Sequence, residues 1–119
     1  MGEYTCIFYE TADGKSPAEE FIGSLDAETQ DRFIIKQQLL QDFGSQLRHP
    51  HTDHLGEGIF ELRFKGKEGQ IRVLCFFFYG KRIIFTHGFI KKTQKAPRKE
   101  IEIAQERRKD FLTRNKQGG

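Results

Sequence analysis

The chain has 119 residues, a length that suits one domain with its own buried core. Apolar residues make up 36% and charged residues 31%, which excludes a disordered chain, and no apolar run approaches the roughly 20 residues of a membrane-spanning helix. The formal net charge is +3, but residues 1–80 hold 8 basic and 13 acidic side chains whereas residues 81–119 hold 12 basic and 4 acidic, so the last third is expected to offer either a surface for a polyanion or a solvated, salt-bridged helix face.

Residues 4–10, rich in aromatic and β-branched types, are expected to form a strand. Asp13-Gly14 marks a turn. Ser16 and Pro17 then suit the cap and first position of a short helix, with Glu19 placed to complete a capping box. Asp26 caps a second, longer helix whose apolar stripe is expected from Phe33, Ile35, Leu39, Leu40 and Phe43, with the stem of Lys36. Gly44 stops it. Residues 45–58 are polar and punctuated by Pro50, Gly56 and Gly58, and a loop is expected there. Three strands follow over residues 59–65, 70–79 and 82–91, joined by short turns as an antiparallel meander. Pro97 is expected at the first position of a last helix with Ile101, Ala104, Phe111 and Leu112 on its apolar stripe. The fold class is thus α+β, in the order β-α-α-β-β-β-α, with a four-stranded, mainly antiparallel sheet, a helical hairpin on one face and a C-terminal helix. Residues 1–113 form a single domain and residues 114–119 a frayed tail.

Cys6 and Cys75 each sit in an apolar run and are expected as reduced core residues; no CxxC spacing is present. Residues 1–10 carry two acids and no basic cluster, unlike a secretion signal, so a cytoplasmic location is expected. Three histidines and an aspartate in residues 48–54 match no metal-ligand spacing, and a polar surface loop is the expectation there. No metal or other cofactor is expected. The run Phe76-Phe77-Phe78-Tyr79 is expected in the core rather than as a base-stacking surface.

Period-two alternation places Phe60, Leu62 and Phe64 on one face of their strand and Glu61, Arg63 and Lys65 on the other. On the next strand Arg72 shares a face with Leu74, Phe76 and Phe78. A guanidinium beside an apolar floor suits a phosphate, since its planar fork of donors keeps its proton. Residues 86–95 add His87, Lys91, Lys92 and Lys95 at the end of the third meander strand. Cleavage of RNA needs a base for a ribose 2′-OH, positive charge on the phosphorane and an acid for the leaving oxygen. His87 titrates in a useful range, yet a hydrogen-bonded strand histidine is an equal account of it. Lys65 fits a solvated turn.

Phe60-Glu61-Leu62-Arg63, Ile71-Arg72-Val73-Leu74, the run from His87 to Pro97 and Glu100-Ile101-Glu102-Ile103-Ala104 together resemble the phage-derived, HigB-like branch of the RelE toxin superfamily. The resemblance spans nearly the whole chain. It implies a compact ribonuclease fold and the toxin of a type II toxin–antitoxin pair, a ribosome-dependent, metal-independent mRNA endoribonuclease neutralised by a cognate antitoxin. The implied partners are that antitoxin, mRNA and the ribosome, with no membrane. The implied catalytic set is Arg63 and Arg72 on the phosphate, Lys91 or Lys92 on the transition state or leaving oxygen, and His87 as acid or base; Lys65, Lys95 and Arg98 would contact RNA. Several relatives carry a tyrosine, or an aspartate and histidine, near the end of the chain. This sequence has none of those side-chain sets beyond Lys92. The alternatives are a non-nucleolytic, gyrase-directed toxin of the same fold, or a degenerate phage-derived binding module.

Overall fold

The computed structural model describes residues 2–93 and 97–115, and among these residues it has five strands and three α-helices. In chain order they are β1 (Thr5–Phe8), α1 (Pro17–Gly23), α2 (Ala27–Phe43), β2 (Thr52–Gly56), β3 (Ile59–Gly66), β4 (Gly69–Phe78), β5 (Arg82–Lys91) and α3 (Arg98–Arg114). The sheet order is β1-β5-β4-β3-β2. β2 through β5 are antiparallel neighbours, and β1 lies parallel to β5 at one edge. The sheet is therefore mixed and has five strands, not four.

The extra strand, β2, lies inside the stretch expected to be a loop. It bonds to β3 alone, and of its residues only Thr52 is buried, so its sequence never needed the apolar alternation of an inner strand. The meander β3–β4–β5 stands close to its expected bounds. β4 carries six consecutive buried residues, Ile71 to Phe76, because it is central and covered on both faces.

The helical hairpin covers one face. Ala18, Ile22, Phe33 and Leu40 pack there on Leu62, Phe64, Val73, Cys75, Ile83 and Phe85. α3 crosses the other face, where Ala104 and Phe111 join Ile59, Leu74, Phe76 and Ile84. The buried line of α2 is Thr29, Phe33 and Leu40, spaced by four and seven residues. Ile35 and Phe43, expected on that stripe, are 57% and 51% exposed, since Ile35 stands about 200° around the helix from Phe33.

Asp26 caps α2 as expected, accepting from the Thr29 N–H at 3.2 Å and from its hydroxyl at 2.6 Å. The capping box at α1 is absent: Ser16 is the N-cap, but its side chain makes no cap bond. Pro97 sits at the N-cap of α3, one place before the expected position. Arg114, expected in a frayed tail, ends α3 with its guanidinium on the Glu10 carbonyl at 2.6 Å and on Asp110 Oδ2 at 2.6 Å; residues 116–119 lie outside the described part. Both cysteines are free thiols, and burial pushes Cys6 up to about 11. Among the described residues no helix is long and apolar enough to cross a membrane.

Candidate functional site

The α3-side face of the sheet changes character along its length. Toward the β4–β5 turn it is the apolar floor of Leu74, Phe76 and Phe78. Toward the opposite end, beyond α3, it becomes an open depression of about 640 Å³ lined by Arg63, Gln70, Arg72, Lys91, Lys92 and Thr93. Strand register builds this set. Arg63 pairs with Arg72 across β3 and β4, and Gln70 pairs with Lys91 across β4 and β5. Pleating turns all four toward the same face.

Two guanidinium groups side by side repel, and the fold answers with acids. Glu61, two residues before Arg63 on the same face, is 2% exposed. Its carboxylate lies 3.6 Å from Arg72 Nε and 3.7 Å from an Arg63 terminal nitrogen, while Asp53 from β2 reaches Arg63 at 3.5 Å. Burial drives the Glu61 carboxyl above the ordinary carboxylate range, and the charges of Arg72, Arg63 and Lys91 pull it back down. Burial likewise lowers the pKa of Arg72, and Glu61 opposes that. Glu61 Oε1 and Arg72 Nε have no hydrogen-bond partner among the described residues. Arg72 spends one donor on the Ile71 carbonyl at 2.9 Å. The floor therefore holds Arg72 over a buried counter-ion, and Arg63, Lys91 and Lys92 stand around it. Four cations against two carboxylates leave the depression net positive, suited to an anion with several oxygens.

The other expected site residues lie elsewhere. β5 carries a bulge at Thr86, where Leu74 pairs with His87 and Cys75 with Phe85. The bulge sends His87 under the first turns of α3. There its Nε2–H donates to Glu100 Oε1 at 2.9 Å, and its Nδ1 lies 3.1 Å from the Thr86 hydroxyl. Arg107 of α3 donates to the Thr86 carbonyl at 3.3 Å. His87 is thus 6% exposed and does not line the depression. Burial lowers its pKa, the Glu100 hydrogen bond opposes this, and the Arg107 charge lowers it further. Lys65 lines a separate hollow with Asp26, Arg32 and Lys67 beside α2. Arg98 is exposed on α3, 3.3 Å from Glu102. Lys95 lies outside the described residues. In the histidine-rich segment, His51 Nδ1 lies 2.8 Å from Lys36 Nζ, and the His54 ring packs at a tilt against Phe60 with centroids 4.7 Å apart.

Glu61 was the residue that sequence reasoning left without a role, although a sign of it was there: an acid on the same strand face as Arg63, in a strand of otherwise inner-sheet composition. Gln70 and Thr93 gave no such sign. Residues 20–109 match the family described as Phage derived protein Gp49-like (DUF891). No curated protein matches the chain.

Proposed function

Since the chain belongs to the phage-derived Gp49-like family, we propose that it is the toxin of a toxin–antitoxin pair, of the RelE/HigB-like kind, and that it cuts messenger RNA on the ribosome in the cytoplasm. The observation that carries this reading is the depression in which Arg63, Arg72, Lys91 and Lys92 converge over the buried carboxylate of Glu61. A ribose–phosphate backbone meets all of its chemistry.

The arginines take the non-bridging oxygens of the scissile phosphate. Glu61 keeps the Arg72 fork from swinging away, which is a positioning role. Attack of the 2′ oxygen on phosphorus breaks the bond to the 5′ oxygen and leaves a 2′,3′-cyclic phosphate. Lys91 and Lys92 neutralise the charge that grows on the phosphorane. One lysine gives its proton to the departing 5′ oxygen, the 2′-OH proton passes to water, and the lysine recovers a proton from solvent. His87 has no part in this step, because α3 seals it from the depression. No step calls on a metal ion. The restraining partner is a cognate antitoxin.

The test is induction of wild type and of an Arg72→Ala, Lys92→Ala double variant from a repressed plasmid in a bacterium, with soluble levels matched. The expected result is growth arrest with new 5′ ends inside translated codons for wild type and, for the double variant, at least a hundredfold fewer cuts. Arrest with intact mRNA would move the reading to a gyrase-directed toxin, scored by supercoiling. Abundant soluble protein without arrest would remove catalysis and leave a binding module.

A further inference from the structure

At the end of the sheet opposite the cation-lined depression, two more hollows meet. One, of about 430 Å³, lies between the outer flank of α3 and the β2–β3 turn, with Glu57, Arg108, Lys109 and Leu112 in its lining. The other, of about 410 Å³, lies between α3 and the β4–β5 turn, on Phe77, Phe78 and Tyr79, and shares Arg108 and Leu112 with the first. The shared residues make them one groove along α3.

Its chemistry differs from that of the depression. The floor is aromatic and aliphatic: Phe78 meets Phe111 edge-on at 4.9 Å and Tyr79 at 5.3 Å. Tyr79 is 76% exposed, more than any other large hydrophobic residue of the described chain. The rim is net cationic, with Arg108 and Lys109 against the single carboxylate of Glu57. Glu57 is held by Gln105 at 2.8 Å, and Lys81 is paired with Glu3 at 2.7 Å. Arg108 has no such partner among the described residues. Its guanidinium sits over Phe76, 5.8 Å from the ring centroid, and its Nε has no hydrogen-bond partner among the described residues although water cannot reach it. A half-buried guanidinium without a counter-ion among the described residues, beside an apolar floor, calls for a carboxylate that brings apolar neighbours with it. A nucleic-acid backbone would leave that floor uncovered.

We infer that this groove docks an acidic, amphipathic protein segment, whose apolar side chains sit on Phe78, Tyr79 and Leu112 while its carboxylates pair with Arg108 and Lys109. The inference rests on the partner half of the reading above and is independent of its nuclease half. Arg72 and Phe78 are six residues apart on β4, or about 20 Å. A segment seated here leaves the depression open, so anchoring the partner and blocking the depression fall to different parts of that partner.

The experiment titrates isotope-labelled full chain with an acetylated probe peptide of about ten residues that alternates Leu and Glu. Amide shifts are expected at Tyr79, Arg108 and Leu112, and at least tenfold weaker binding in Arg108→Glu. Because Arg108 is partly buried, Lys109→Glu and Tyr79→Ser, both at exposed positions, are measured beside it; each is expected to weaken binding about threefold. Lys92→Ala is expected to bind as wild type does. Shifts confined to Arg63 and Lys92, no binding, or unchanged binding in both Lys109→Glu and Tyr79→Ser would overturn the groove. So would a dimer in sedimentation that Tyr79→Ser dissolves, which would give the groove to a second copy. Growth arrest by the wild-type chain is scored separately and survives the loss of this inference.

Discussion

His87 and Glu61 show how one residue's surroundings decide its chemistry. Both carry side chains that could move a proton, and both are almost wholly buried. His87 is the more measurable. Burial holds its pKa below the ordinary 6.5, against the Glu100 hydrogen bond. The folded state therefore favours the neutral ring, whereas the unfolded chain takes up a proton below pH ~6.5. The His87 contribution to stability is present above that pH and is lost as pH falls through the lower folded value. Urea unfolding at stepped pH is expected to show that decline in wild type, and His87→Gln is expected to flatten it. Glu61 has the opposite shift and another task. Its charge stands 3.6 Å and 3.7 Å from two arginines that would otherwise repel. A lone acid on a strand is ordinary; an acid under two guanidinium groups is a counter-ion, and only cross-strand register reveals it.

At the scale of elements, α3 decides what the depression can be. It is fastened at three points along its length. Glu100 holds His87, Arg107 holds the Thr86 carbonyl, and Asp110 accepts from the Tyr9 hydroxyl at 2.6 Å. Arg114 reinforces the last from the Glu10 carbonyl and from Asp110, and burial with the neighbouring Asp110 carboxylate raises the Tyr9 pKa. The β5 bulge supplies two of these anchors, which gives the irregularity a use: it turns His87 and a free carbonyl toward the helix. Tyr9→Phe removes one charged hydrogen bond without changing the packed ring. The expected loss is about 1.5 kcal/mol in urea unfolding, with early hydrogen exchange confined to α3. The helix also settles what the sequence left open, because it covers the apolar half of its sheet face and leaves the cationic half to solvent.

For the whole molecule, charge and sheet topology act together. The acids of residues 1–80 include the counter-ions Glu61 and Asp53, and the basic last third supplies Lys91 and Lys92. If four cations displace counterions from a single strand of RNA, log affinity is expected to fall with log salt at a slope of about −3, and Lys92→Ala is expected to reduce that slope by about 0.7. Fluorescence anisotropy with a labelled single-stranded RNA across a salt series checks both. Membership of the Gp49-like family and the α+β layout follow from features written locally: a strand, a capped helical hairpin, three strands with turn signals between them, and a closing helix. The sequence alone also set which residues share a strand face with Arg63 and which with Arg72, because alternation is a property of each strand by itself, while the β3–β4 register brought the two arginines together. It could not show β2, whose polar residues hold their place only by bonding to β3, nor the parallel seating of β1 on β5, which joins segments far apart in the chain. It could not separate Lys91, which lines the depression, from His87, which does not. Local patterns set which way a side chain leaves its own strand; what it meets there, a counter-ion, a sealing helix or open solvent, depends on pairings and packings between distant segments that only the folded chain brings together.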